Sequence, residues 1–159
     1  MPRASLPTTP PLPVPHREQT QASDCLAACA AMVLDYLHRP VPYVRLLSLL
    51  GISPIGAPRR NILRLTRLGG LEVIYRTATL SLVAQYLLTG APVIAFVDTG
   101  ELSYWSSTTN HALVVVGMDN ENVLVHDPAC LRFPISIPHL EFDLAWLNSD
   151  NACAVVQVI

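Results

Sequence analysis

From Asp24 the run DCLAACAAMVLDYL keeps apolar residues three and four positions apart, the spacing of a helix buried on most sides, with Ser23 or Asp24 as its cap. Pro42 opens a second helix, PYVRLLSLLG, which Gly51 stops. NILRLTRLGG, from Asn61 to Gly70, reads as a third, with Asn61 as cap and a glycine pair at its end. The period then shortens to that of a strand. LEVIYRTA alternates, TLSLVAQYLLTG returns to helical spacing, and PVIAFVDT reads as a buried strand. Beyond the polar loop GELSYWSSTTN, the β-branched runs HALVVVGMD and NVLVHDPA flank the turn residues Asn120, Glu121 and Asn122, which predicts an antiparallel hairpin. A short helix over His139 to Leu147 and a last strand, ACAVVQVI, close the chain. Helices first and strands later predict an α+β domain with two lobes, and no internal repeat is visible.

At 159 residues the chain fits one domain, and its beginning differs from the rest. Six of the first fifteen residues are proline, so residues 1–15 read as a flexible, partly polyproline arm and residues 16–159 as the folded domain. That arm has no continuous apolar core of a secretory signal. A net charge of -2 with 51% hydrophobic residues gives no basic surface for nucleic acid. The longest apolar runs, 91–97 and 112–117, fall far short of the roughly 18 residues that span a bilayer, so no membrane insertion is expected. Four cysteines in a chain of this length do not suggest a disulfide framework, and a reducing cytoplasm is the simpler expectation.

The chemistry-bearing residues narrow to a few positions. Cys25 begins a helix, where unsatisfied N–H groups and the helix dipole stabilise a thiolate. The bland alternative is one more small buried residue in an alanine-rich helix. Cys29, a turn further in, would lose those donors. His111, where a polar loop enters a strand, is placed to serve as base or ion-pair partner. His16, His38, His126 and His139 read as surface residues. His126 is the hardest to set aside, because it adjoins Asp127, and adjacent strand side chains point to opposite faces. Asp127 can accept the imidazole N–H across the hairpin, or can be a turn-forming Asp before Pro128. For an oxyanion, Gln19 and the backbone N–H of Cys25 are the candidate donors, with Gln21 the nearest rival. Tyr104 and Trp105 lie in the loop before His111, as a wall of a substrate groove or with the Trp tucked into the core. Cys25 and Cys29 supply one pair of ligands and nothing completes a zinc site. No phosphate-cradling glycine motif is present, so no cofactor is expected.

Gln19, SDCLAACAAMVLDYL, NHALVVVGMD and VLVHDPA together resemble the double-glycine leader peptidases, the bacteriocin-processing family numbered thirty-nine among cysteine peptidases, from about Pro15 to Ile159. The resemblance implies a papain-like fold, with a helical lobe carrying Cys25 and an antiparallel sheet lobe carrying His111 and Asp127. It also implies an oxyanion role for Gln19. The substrates it implies are peptide or protein precursors cut after Gly-Gly, by a stand-alone peptidase domain with a transporter or other protein partner in trans. The chain departs from the pattern at Leu26, where the family usually has glycine. Other readings keep the fold and change the role: a thiol hydrolase or acyltransferase on isopeptides or amides, a non-catalytic peptide-binding module, or a secreted effector.

Overall fold

A computed structural model describes residues 5–159, and residues 1–4 of the expected arm lie outside them. The alanine-rich run forms α1 (Cys25–Tyr36), in which every residue from Leu26 to Leu34 is buried. Alanines at 27, 28, 30 and 31 keep its surface low, so the helix lies close on the sheet beneath it. Next come α2 (Tyr43–Leu49) and a 3-10 helix (Arg59–Leu68). An α-helix was expected over Asn61 to Gly70. Ile62 and Leu65 are both fully buried, and their three-residue spacing, continued by Leu68, stacks on one side of a helix with three residues per turn. Asn61 does not cap it. Its side chain donates instead to the Leu50 carbonyl at 3.0 Å, tying this helix to the end of α2.

The strands are β1 (Leu71–Thr77), β2 (Val93–Asp98), β3 (Asn110–Met118), β4 (Asn122–His126), β5 (Ile135–Pro138) and β6 (Ala152–Val158), with α3 (Leu80–Leu88) and α4 (His139–Leu147) between them. They form one antiparallel sheet in the order β1-β6-β2-β3-β4-β5. The expected β3–β4 hairpin is present, its turn held by the Asp119 carboxylate, which accepts from the Glu121 and Asn122 N–H groups. β5 was not anticipated. Its run of four residues carries prolines on both sides and too little alternation to read, and an edge position is where a strand tolerates them.

Both faces of the sheet are covered, which is why β2 and β3 read as continuous apolar runs instead of alternating ones. Ile94, Phe96, Ala112, Val114 and Val116 pack with α1 in one core. Val93, Ala95, Val97, Leu113 and Val115 pack on the opposite face with residues of α3 and α4, including Phe142 and Trp146.

Residues 9–14 depart from the expected flexible arm. Thr9 and Met118 exchange backbone hydrogen bonds at 2.8 and 3.2 Å, and the Leu12 N–H donates to Val116 at 2.8 Å. β2 stops pairing with β3 at Val93 opposite Val115, so the arm takes the edge positions that β2 leaves open. Pro10, Pro11 and Pro13 bring no N–H of their own to satisfy, and Thr9 and Val14 are buried. Gly117 permits this approach: a Cβ there would stand 2.8 Å from the Thr9 carbonyl oxygen. Among the described residues no helix is long and apolar enough to cross a membrane.

Candidate active site

α1 starts at Cys25, with Asp24 in the cap position, yet no side chain caps the helix. The buried Asp24 carboxylate turns back to accept from the backbone N–H groups of Thr20 and Gln21 and from the Thr20 hydroxyl. The first intrahelical bond runs from Ala28 N–H to the Asp24 carbonyl at 3.1 Å, so the Cys25 N–H lies ahead of the helical ladder as a spare donor. Cys25 is half-buried and opens on a cleft of about 450 Å³ lined also by Leu26, Phe96, Asn110 and His111. The far rim is braced by Arg59, which donates to the Tyr75 hydroxyl at 3.1 Å and the Ser149 carbonyl at 2.9 Å, and pairs with Asp150 at 3.3 Å.

The four cysteines are all free thiols. Cys29 faces the α1 core and burial pushes its pKa well up. Burial also raises Cys130 and Cys153 to about 11. Those three therefore remain protonated at neutral pH, and of the four cysteines only Cys25 lines the cleft.

Strand phase explains which neighbour of Pro128 meets the histidine. His111 is in step with Leu113 and Val115, and Asp127 with Val123 and Val125, all of them in the core opposite α1. At the end of the sheet these two side chains converge, His111 Nε2 on Asp127 Oδ1 at 2.7 Å. The remaining ring nitrogen, Nδ1, is left for the Cys25 side. Burial by itself would lower the His111 pKa, but the hydrogen bond to Asp127 and the neighbouring Asp127 and Cys25 groups overcome it and raise it from 6.5 to about 9. Burial would raise Asp127, and the bonds it accepts from His111, Tyr104 and Ala129 overcome that and bring it from 3.8 to about 2.

Asp127 is fully buried and fully satisfied. Oδ2 accepts from the Tyr104 hydroxyl at 2.7 Å and the Trp105 indole at 3.0 Å, while Oδ1 also accepts the Ala129 N–H at 2.9 Å. Neither of the roles weighed for Tyr104 and Trp105 included holding this carboxylate. A phenol and an indole side by side, each with one donor to place when buried, are the signal that was available. Burial and the neighbouring carboxylate push the Tyr104 pKa upward, which keeps its hydroxyl a donor.

His126 points the other way and corrects the surface reading: it is buried, with Nε2 bonded to the Val14 carbonyl at 2.9 Å. His16 is half-buried rather than on the surface, with Nε2 3.0 Å from the Asp127 carbonyl oxygen and its ring stacked on Phe133 at 4.4 Å. His139 is also half-buried, whereas His38 is exposed. None of the four is bonded to Cys25 or to the Asp127 carboxylate.

Gln19 sits on the loop leading into α1. Its N–H donates to the Pro128 carbonyl at 2.8 Å, one residue from Asp127, and its side-chain amide donates to the Gln21 carbonyl at 2.8 Å. Gln21 thus acts on Gln19 through its backbone carbonyl. Among the described residues no cluster of three or more His, Cys, Asp or Glu could hold a metal.

The peptidase C39 family matches residues 14–149. Among solved structures, a C39-like peptidase from Bacillus anthracis superimposes with a TM-score of 0.81 at 14% identity, covering 96% of this chain and 98% of that one. The peptidase domain of Streptococcus ComA, a bifunctional ABC transporter of a quorum-sensing pathway, gives 0.74 at 19% identity over 91% of this chain and 98% of its own. A double-glycine-motif protease from an AMS/PCAT transporter, solved with its leader peptide, gives 0.69 at 25% identity over 94% of each chain. No curated protein matches significantly. The chain, with its α+β fold and the family covering most of its length, belongs to the peptidase C39 family and is a cysteine peptidase.

Proposed function

We propose that this protein cleaves peptide precursors after a Gly-Gly pair, with Cys25 as nucleophile, His111 as its acid and base, Asp127 as the residue that orients His111, and Gln19 as an oxyanion donor. The observation that carries the reading is the file of three side chains at the cleft. Cys25 lines it, His111 lines it beside Cys25, and Asp127 grips the far nitrogen of His111 at 2.7 Å.

In this mechanism His111 takes the thiol proton and the thiolate attacks the scissile carbonyl, forming a C–S bond. The tetrahedral oxyanion accepts from the Cys25 N–H and from the Gln19 amide hydrogen not spent on Gln21. The imidazolium passes its proton to the departing amine as the C–N bond breaks. Water, deprotonated by His111, then attacks the thioester, and the leaving thiolate recovers the proton. Asp127 keeps His111 in one tautomer and stabilises its cation throughout.

The Gly-Gly preference is supported by the family and by the leader peptide bound to the transporter-derived protease. A transporter or other protein acting in trans is the partner class implied. The free thiols fit work in a reducing compartment such as the cytoplasm.

Alkylation with an iodoacetamide probe across pH, followed by peptide mapping, tests the nucleophile. Labelling confined to Cys25 near pH 6 and abolished by His111→Ala supports the reading. Labelling of Cys25 no faster than of Cys130 rejects it in favour of a binding module. Turnover of a Gly-Gly aminocoumarin amide, but not of its Ala-Ala counterpart, tests the substrate.

A further inference from the structure

Asp24 spends its carboxylate on the wrong partners for a helix cap. A capping Asp accepts from N–H groups two or three positions into its own helix. Here the backbone donors to the carboxylate come from residues before it, Thr20 N–H at 3.0 Å and Gln21 N–H at 3.3 Å, joined by the Thr20 hydroxyl, while the Tyr43 hydroxyl lies against the same residue. Asp24 is only 1% exposed, so these bonds are what satisfies its carboxyl oxygens in the interior. The consequence for the loop is direct. Gln21 is fixed through its N–H by Asp24, and its carbonyl in turn holds the Gln19 amide at 2.8 Å. At its other end Gln19 is tied by its N–H to Pro128, beside Asp127. The candidate oxyanion donor is therefore strung between the residue before Cys25 and the residue after Asp127. Gln19 Oε1 is buried without a partner, so the amide is held through its nitrogen alone, by the bond to Gln21.

We infer that Asp24 is a positioning residue for catalysis, which holds the Gln19 amide in place on the loop leading into Cys25 by fixing the Thr20–Gln21 turn. This rests on the peptidase reading given above. The role predicts a defect in amide hydrolysis, which passes through an oxyanion, and none in alkylation of the thiolate, which does not.

The test uses the full chain, the Gly-Gly aminocoumarin amide and iodoacetamide. Asp24→Ala lowers kcat by about tenfold to a hundredfold, with KM within about threefold and the alkylation rate of Cys25 within about twofold. Asp24→Asn keeps an acceptor for the two N–H groups and recovers a large part of kcat. In a Gln19→Ala background Asp24→Ala costs little more, because both changes remove the same donor. Should Asp24→Ala fail to fold, the exposed Thr20 decides: Thr20→Val, which removes the hydroxyl, lowers kcat, and Thr20→Ser restores it. A wild-type chain without turnover overturns the proposed function and this inference with it. An active wild type whose Asp24→Ala or Thr20→Val variant keeps full kcat, or loses kcat and alkylation equally, overturns this inference alone.

Discussion

The Trp105 ring lies 4.7 Å from the His111 ring, centroid to centroid and tilted by 59°, while its indole N–H is held by Asp127 Oδ2 at 3.0 Å. One residue thus covers a face of the imidazole and fixes the carboxylate that orients it. Trp105→Phe keeps a ring and loses the donor, leaving a buried charge with one bond fewer. A hydrogen bond to a charged group contributes about 2 kcal/mol, so the melting temperature should fall by about 4–8 °C. Tyr104→Phe should do the same, and differential scanning calorimetry of the two variants checks both.

The His111–Asp127 pair makes stability depend on pH in a defined window. His111 is raised from 6.5 to about 9, so its contribution is whole below pH 6.5 and is lost as the pH rises through about 9. Asp127 is lowered from 3.8 to about 2, so its contribution is whole above pH 3.8 and is lost as the pH falls through about 2. Both are whole between pH 3.8 and 6.5. Thermal unfolding followed across pH should show this plateau for the wild type and a flatter profile for Asp127→Asn.

Activity has its own pH signature. The imidazolium of His111 donates to the leaving amine, so kcat/KM should decline on an alkaline limb near pH 9. Asp127→Asn removes the stabilising carboxylate and moves that limb toward neutrality. A limb that stays in place in the variant would show that Asp127 does not act through His111.

Cys25→Ala should abolish turnover and leave the melting temperature nearly unchanged, since the side chain is half-buried at the edge of the core. Asp127→Asn should weaken kcat by about a hundredfold or more without erasing it, because the nucleophile and oxyanion donors persist. Intact-mass detection of a cleaved Gly-Gly peptide distinguishes the two.

Gly117→Ala would place a methyl 2.8 Å from the Thr9 carbonyl oxygen and 3.1 Å from Pro11. Backbone cannot give way as a side chain does, so the cost should be about 1–3 kcal/mol and should fall on the arm. Faster hydrogen exchange at the Thr9 and Leu12 amides, with the β2–β3 pairing still protected, is the expected result.

The chain order of helices and strands was legible because it depends on spacing. Neighbours three or four positions apart make one face of α1, and unbroken apolar runs mark β2 and β3, which are covered on both sides. Cys25, His111, Asp127 and Gln19 stood out as candidates because each chemical type stood at a junction, a helix start, a strand start, a strand end and a loop before the helix, and the family resemblance gave them their roles. By itself the sequence therefore determined the α+β class, most elements and a short list of reactive groups.

Only the tertiary structure decided how those groups are held. The donors that make a buried Asp127 tenable come from Tyr104 and Trp105, 23 and 22 positions away, and no local spacing couples them to it. Whether His126 or Asp127 faces His111 depended on the phase of β4 against β3, which a slip of one residue would have reversed. The docked arm rests on an edge of β3 that exists only because β2 ends short of it. In each case the deciding quantity is the satisfaction of a buried polar group by a partner distant in sequence, and such partners meet only once the chain has folded.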